Sequence, residues 1–141
     1  MDGFFTGDDN ASHFYKQTTG NLSGTGLKEV MMHELVHHIL NYEINRKGNA
    51  SKNPHFWVDE GFPTLFETVE KKDNKLSLNV SKHLITRLLK NDITGPQIMK
   101  LKDFFKLNQE QLMAGENVLY RQGMGLVYYF IFSNNGKYKN K

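Results

Sequence analysis

Apolar residues follow a helical spacing along most of this chain. They recur three and four positions apart in stretches at about 26–42, 59–72, 80–90 and 117–133. A further helix is expected to begin at Pro96, because proline suits the first position of a helix. The last stretch contains LVYYFIF, which on its own would also suit a strand. The pattern predicts a mostly helical protein.

The segment before the first helix has the character of β-strands. Residues 3–16 contain two aromatic-rich pieces, GFFT and ASHFYK, on either side of the turn sequence GDDN. A glycine-rich loop, GNLSGTG, then leads to the first helix, for which Thr25 is the expected cap. We therefore expect an α+β fold with a short β-hairpin before that helix.

The first helix is apolar nearly all round, and such helices are normally buried in the centre of a domain. Its sequence EVMMHELVHHIL nevertheless includes His33, Glu34, His37 and His38. Imidazole and carboxylate groups need partners when they are buried, because desolvating them is costly. These four polar residues are therefore the first candidates for a binding or catalytic site.

Composition narrows the classes of protein to consider. We expect a single domain spanning 1–141, since 141 residues with 38% hydrophobic and 12% aromatic content are typical of one globular unit. No apolar run reaches the roughly 18 residues of a membrane-spanning helix, so no transmembrane segment is expected. The net charge is only +3 and the basic residues are scattered, which argues against nucleic acid as a partner.

The first ten residues, MDGFFTGDDN, lack the basic and apolar regions of a signal peptide. The chain can still be a fragment of a longer protein, so its compartment stays open, an extracytoplasmic one included. The absence of cysteine excludes thiolate ligands. Any transition-metal site must therefore use imidazole and carboxylate groups.

His33 and His37 are four residues apart, so on a helix they lie one turn apart on the same face. Both imidazoles can reach one ion, and zinc accepts such nitrogens at about 2.0–2.1 Å. Glu34 is rotated by about 100° from His33, where it can hold and deprotonate a metal-bound water. This H-E-x-x-H pattern predicts metal-assisted hydrolysis.

A catalytic zinc needs a third protein ligand and an open fourth position. The best candidate is Glu60 in WVDEGFPTLFE, where an unpaired carboxylate among apolar and aromatic residues would be costly. Pro63 is tolerated in this second predicted helix if Asp59 is its N-cap, because proline then falls near the first turn. Two adjacent helices can then supply all three ligands.

The strings MMHELVHHIL and WVDEGFPTLFE resemble the gluzincin zinc peptidases, and over about 3–138 the chain looks like the bacterial peptidase-MA-like domains. The resemblance implies a zincin-like fold, zinc bound by His33, His37 and Glu60, and Glu34 as general base. It also implies that the strand ASHFYK borders the substrate cleft. Complete zincins have a larger sheet than one hairpin, and no motif for a substrate amine is present, so an aminopeptidase is not expected.

Several further residues have two interpretations. Related enzymes stabilise the oxyanion with a tyrosine from the C-terminal helix, which Tyr120 matches, although a core tyrosine is the alternative. Glu67 either orients a ligand histidine or lies exposed on its helix. His55 either lines the cleft or belongs to a loop. His38 suits the core better than ligation, and His83 is expected on the surface.

The sequence thus predicts a zinc-dependent metallopeptidase that hydrolyses peptides or proteins with a metal-activated water. The alternative is a catalytically inactive, zinc-stabilised binding module with the same zincin-like fold. An intact Glu34 favours the enzyme, whereas Pro63 and the short sheet favour the module. Substrate specificity, endo- or exopeptidase action and oligomeric state do not follow from the sequence.

Overall fold

A computed structural model of the protein describes residues 2–6, 11–15, 26–46, 55–114 and 116–133. Helices predominate in these ranges, and the strands form two separate antiparallel hairpins. In chain order the elements are β1 (Asp2–Thr6), β2 (Ala11–Tyr15), α1 (Leu27–Arg46), α2 (Phe56–Phe66), β3 (Val69–Lys72), β4 (Lys75–Leu78), α3 (Leu84–Thr94), α4 (Leu101–Phe104), α5 (Gln109–Ala114) and α6 (Glu116–Phe132). The mostly helical α+β character predicted from the sequence is confirmed.

The hairpin expected before the first helix is present. Strands β1 and β2 pair in an antiparallel register that places Asp2 opposite Tyr15 and Thr6 opposite Ala11. The GDDN turn between them and the Thr25 cap lie outside the described residues. Helix α1 follows and extends four residues beyond the predicted end, to Arg46.

The prediction that α1 is buried on all sides is wrong. Its inward face, with Val36 6% exposed, packs against α2, while five large apolar side chains on the outward face are 48–58% exposed. These are Leu27, Met31, Leu35, Ile39 and Tyr42. Among the described residues, neighbouring elements therefore cover only one side of this helix.

Helix α2 begins and ends earlier than the sequence predicts. His55, not Asp59, occupies the N-cap position, and the helix ends at Phe66 instead of about residue 72. Pro63 therefore lies well inside α2, where it is buried and cannot donate a backbone hydrogen bond to the carbonyl of Asp59. The Thr64 hydroxyl donates to the next carbonyl, that of Glu60, at 2.8 Å.

A second hairpin, β3–β4, occupies residues assigned to the end of the second helix and to the loop after it. Asp73 and Asn74 form its two-residue turn with φ of 50° and 58°, a left-handed conformation that aspartate and asparagine tolerate. The β-branched pair Thr68 and Val69 favours an extended chain at the point where α2 stops. The Asp-Asn pair and the alternating segment KLSL after it were a hairpin signal that helical periodicity concealed.

Later boundaries also differ from the predictions. Helix α3 starts at Leu84 instead of about residue 80, since the His83 Nδ1 accepts a hydrogen bond from the backbone N–H of Ile85 at 3.3 Å. Pro96 does not begin a helix: α4 starts at Leu101, and α5 was not predicted. The LVYYFIF run is helical and belongs to α6, as expected.

Helices α2 and α6 pack together at the centre of the fold. Leu65 of α2 is fully buried and Met124 of α6 is 1% exposed, and both belong to one apolar cluster with residues of α3. An ion pair joins α3 to α6, with the Arg121 Nε donating to Asp92 Oδ2 at 2.6 Å. Among the described residues, no helix combines the length and apolar character needed to cross a membrane.

Candidate metal centre

Helices α1 and α2 bring together the three residues predicted to bind metal. The Nε2 atoms of His33 and His37 lie 3.2 Å apart, and the Glu60 Oε2 lies 3.3 Å from the first and 3.4 Å from the second. The three side chains are only 14–17% exposed. They form the one group of three or more histidine, cysteine and acidic ligands found among the described residues.

The spacing of these three atoms suits a single tetrahedral ion. Ligand atoms at about 2.0–2.1 Å from zinc, at tetrahedral angles, are separated by about 3.3 Å. The measured separations of 3.2, 3.3 and 3.4 Å differ from that value by about 0.1 Å. Two imidazole nitrogens and one carboxylate oxygen are also ligand types typical of zinc. The group can therefore hold a metal ion and leave a fourth position open.

Without metal, the same three residues form a strongly coupled ionic cluster. Burial lowers the pKa of His33 and of His37, but the surrounding carboxylates outweigh it and raise these pKa values from 6.5 to about 9 and about 10. Burial raises the pKa of Glu60, but hydrogen bonds and charges from both imidazoles lower it to about 2. The metal-free centre therefore favours protonated imidazoles, and metal must displace their protons to bind.

The outer nitrogens of the two histidines have unequal partners. Glu67 Oε1 lies 2.7 Å from His33 Nδ1, and the Glu67 side chain is 10% exposed. Asp59 Oδ1 lies 3.8 Å from His37 Nδ1, and the Asp59 side chain is 39% exposed. Glu67 is thus not the exposed helix carboxylate of its second interpretation: it is mostly buried against His33, just beyond the end of α2 and not within a longer helix.

Glu34 and Tyr120 flank the cluster. Glu34 follows His33 on α1 and is 5% exposed, so its carboxylate lies inside the protein. Tyr120 comes from α6, and its ring centroid lies 6.4 Å from that of His33. Burial, and then the charges of Glu60 and Glu34, raise the pKa of Tyr120 to about 12, which keeps its hydroxyl protonated at neutral pH.

Three other histidines whose side chains the structure describes, His38, His55 and His83, are not members of this group. His38 is half-buried on α1, and His55 is exposed at the start of α2. The prediction that His83 lies on the surface is wrong: its side chain is 14% exposed and it caps α3, with its Nε2 3.9 Å from Glu29 Oε1. The contact of Asp59 with His37 was not predicted, because Asp59 was assigned to a helix cap.

Comparison with known proteins returned no match to any protein-family model, curated protein or solved structure.

Proposed function

We propose that this chain is a zinc-dependent peptidase that hydrolyses peptide bonds with an activated water. One observation carries the proposal: His33 Nε2, His37 Nε2 and Glu60 Oε2 lie 3.2–3.4 Å from one another, as the ligands of one tetrahedral zinc would. The order H-E-x-x-H within α1 adds a carboxylate, Glu34, directly beside a ligand.

Glu34 is the general base of the proposed reaction. Zinc, when bound, would polarise the scissile carbonyl and lower the pKa of the attacking water. The Glu34 carboxylate accepts a proton from that water and delivers it to the leaving amine. Its burial supports this role, because excluding bulk water strengthens the interactions of a buried carboxylate.

Tyr120 and Glu67 have supporting roles in the proposal. The Tyr120 hydroxyl remains protonated at neutral pH and can donate a hydrogen bond to the oxyanion that develops on the substrate. Glu67 accepts a hydrogen bond from His33 Nδ1, which fixes the tautomer in which Nε2 is free to bind metal.

The substitution Glu34→Gln tests the mechanism, since glutamine has the size of glutamate but cannot accept the proton. Zinc content and melting temperature should stay close to those of the wild type, while peptide hydrolysis should fall by about 10²–10⁴-fold. Glu29→Gln is the matched control, because it makes the same chemical change five residues earlier on α1, outside the metal group. It should leave hydrolysis unchanged.

Retained hydrolysis in zinc-loaded Glu34→Gln would refute the assigned base. If the wild type binds one zinc per chain but cleaves nothing in a random peptide library, the zinc-stabilised binding module becomes the better account. Purified protein that neither contains nor binds zinc would rule out both functions.

A further inference from the structure

Helix α2 meets α6 at a contact between two glycines, Gly61 and Gly123. A Cβ atom built on Gly61 would lie 2.6 Å from the carbonyl carbon of Gly123 and 2.7 Å from its oxygen. A Cβ built on Gly123 would lie 2.8 Å from the carbonyl oxygen of Trp57. These neighbours are backbone atoms, so no side chain can turn aside to make room. The two helices therefore approach as closely as they do because both positions lack a side chain.

Each glycine of this contact is close in sequence to a residue of the candidate site. Gly61 directly follows Glu60 on α2, and Gly123 is three residues beyond Tyr120, which places Tyr120 and Gly123 on neighbouring parts of one face of α6. The histidine ligands come from α1, which packs on α2. The metal ligands thus belong to α1 and α2, whereas Tyr120 belongs to α6. The separation of α2 from α6 determines how far Tyr120 lies from the ligands.

We propose that Gly61 and Gly123 are positioning residues whose contact holds the Tyr120 hydroxyl within reach of the reacting carbonyl. The inference rests on the proposed zinc-peptidase function. A methyl group at Gly123 would require a displacement of about 0.6 Å, from 2.8 Å to the 3.4 Å at which ordinary van der Waals contact begins. Catalytic groups must keep their geometry to within about 0.5 Å, so such a displacement is large enough to matter.

The test compares Gly123→Ala with Gly125→Ala on the same helix. A Cβ at Gly125 would meet only the end of the Leu89 side chain, at 2.9 Å from Cδ2, and that side chain can move. Both proteins are loaded with paramagnetic Co²⁺ in place of zinc and labelled with fluorotyrosine. The Tyr120 signal, one of six, is assigned by its loss in Tyr120→Phe. Its ¹⁹F relaxation by cobalt falls steeply with the distance between metal and ring.

Gly123→Ala should bind Co²⁺ as the wild type does, because all three ligands lie on α1 and α2, but its Tyr120 signal should lose paramagnetic relaxation. Gly125→Ala should keep the wild-type value. Cobalt binding with unchanged relaxation in Gly123→Ala would overturn the inference alone. A wild type that binds no cobalt would overturn the proposed function and this inference with it. A Gly123→Ala protein that fails to fold would also overturn it, because the contact would then serve folding and not the reach of Tyr120.

Turnover provides a second readout that a purely structural role would not reproduce. In Gly123→Ala, kcat should fall by about 10-fold to 10²-fold with little change in KM, as when a transition-state contact is misplaced. In the Tyr120→Phe background, the same glycine substitution should cause no further loss, since the hydroxyl is already absent. Losses that multiply in the double variant would contradict a positioning role.

Discussion

Helix α6 and helix α1 both pack against α2, but through different chemistry. The α2–α6 contact is apolar and dense, with Leu65 fully buried, Met124 1% exposed and backbone meeting backbone at Gly123. The described contacts of α1 with α2 include a cluster of ionisable side chains centred on His33 and His37. The α2–α6 contact is thus held by apolar packing, whereas the α1–α2 contact combines apolar burial at Val36 with a polar cluster.

This difference has an energetic consequence. Apolar burial contributes about 25 cal/mol per Å² whatever ion is bound, whereas a hydrogen bond contributes only about 0.5–1.5 kcal/mol net. The outward face of α1 adds little, because its large apolar side chains remain about half exposed. We therefore expect the position of α1 to depend on metal and pH, and the α2–α6 unit to depend on neither.

Substitutions of Leu65 on α2 and Leu35 on α1 test how much apolar packing stabilises each helix. Leu65→Ala should lower the free energy of unfolding by about 2–5 kcal/mol, because it opens a cavity where no side-chain surface is exposed. Leu35→Ala removes a side chain that is 48% exposed and should change stability by about 0.5 kcal/mol or less. Urea unfolding of both variants provides the measurement. A large loss in Leu35→Ala would mean that a contact outside the described residues covers α1.

Metal removal tests how far the position of α1 depends on the ionisable cluster. Zinc at 100 times its Kd should stabilise the folded protein by about 2.7 kcal/mol, since only the folded chain presents all three ligands together. In metal-free protein, hydrogen exchange should accelerate in α1 and remain slow in the buried parts of α2 and α6. Equal acceleration in all three helices would show that they unfold as one unit and would break the comparison.

Glu67 and Asp59, which contact the outer nitrogens of His33 and His37, should differ in their effect on metal binding. Glu67→Gln should weaken zinc binding by about 10–100-fold, because this buried carboxylate lies 2.7 Å from His33 Nδ1. Asp59→Asn is the matched control and should have a smaller effect, since its oxygen lies 3.8 Å from His37 Nδ1 and is partly exposed. Competition with a fluorescent zinc chelator measures both affinities. A larger effect in Asp59→Asn would reverse the assignment of the orienting residue.

A dependence on pH should distinguish the metal-free from the zinc-loaded protein. The pKa values of His33 and His37 are raised from 6.5 to about 9 and about 10 in the metal-free fold. Their stabilising contribution is therefore complete below pH 6.5 and is lost as pH rises through those folded values. Zinc binds neutral imidazoles and avoids this loss, so the gap between the two melting temperatures should widen from pH 6.5 to 9. A gap that stays constant would show that protons and metal do not compete.

The sequence by itself determined the features that depend on neighbouring residues. Helix α1, the helical state of α6 and the alignment of His33 with His37 all follow from the 3.6-residue turn, which acts within one element. Glu60 was a candidate for a related reason, because a carboxylate among aromatic residues needs a partner. These inferences required no knowledge of how the helices pack.

Only the tertiary structure decided which faces and which distant residues meet. Glu67 contacts a histidine 34 positions away, and Gly61 meets Gly123 across two helices. The one-sided burial of α1 and the β3–β4 hairpin likewise contradict what helical periodicity alone predicts. The physical reason is that residue spacing determines only the directions in which the side chains of one helix or strand point. Contacts between elements depend on how closely their backbones can approach. The free energy of that packing depends on the whole chain.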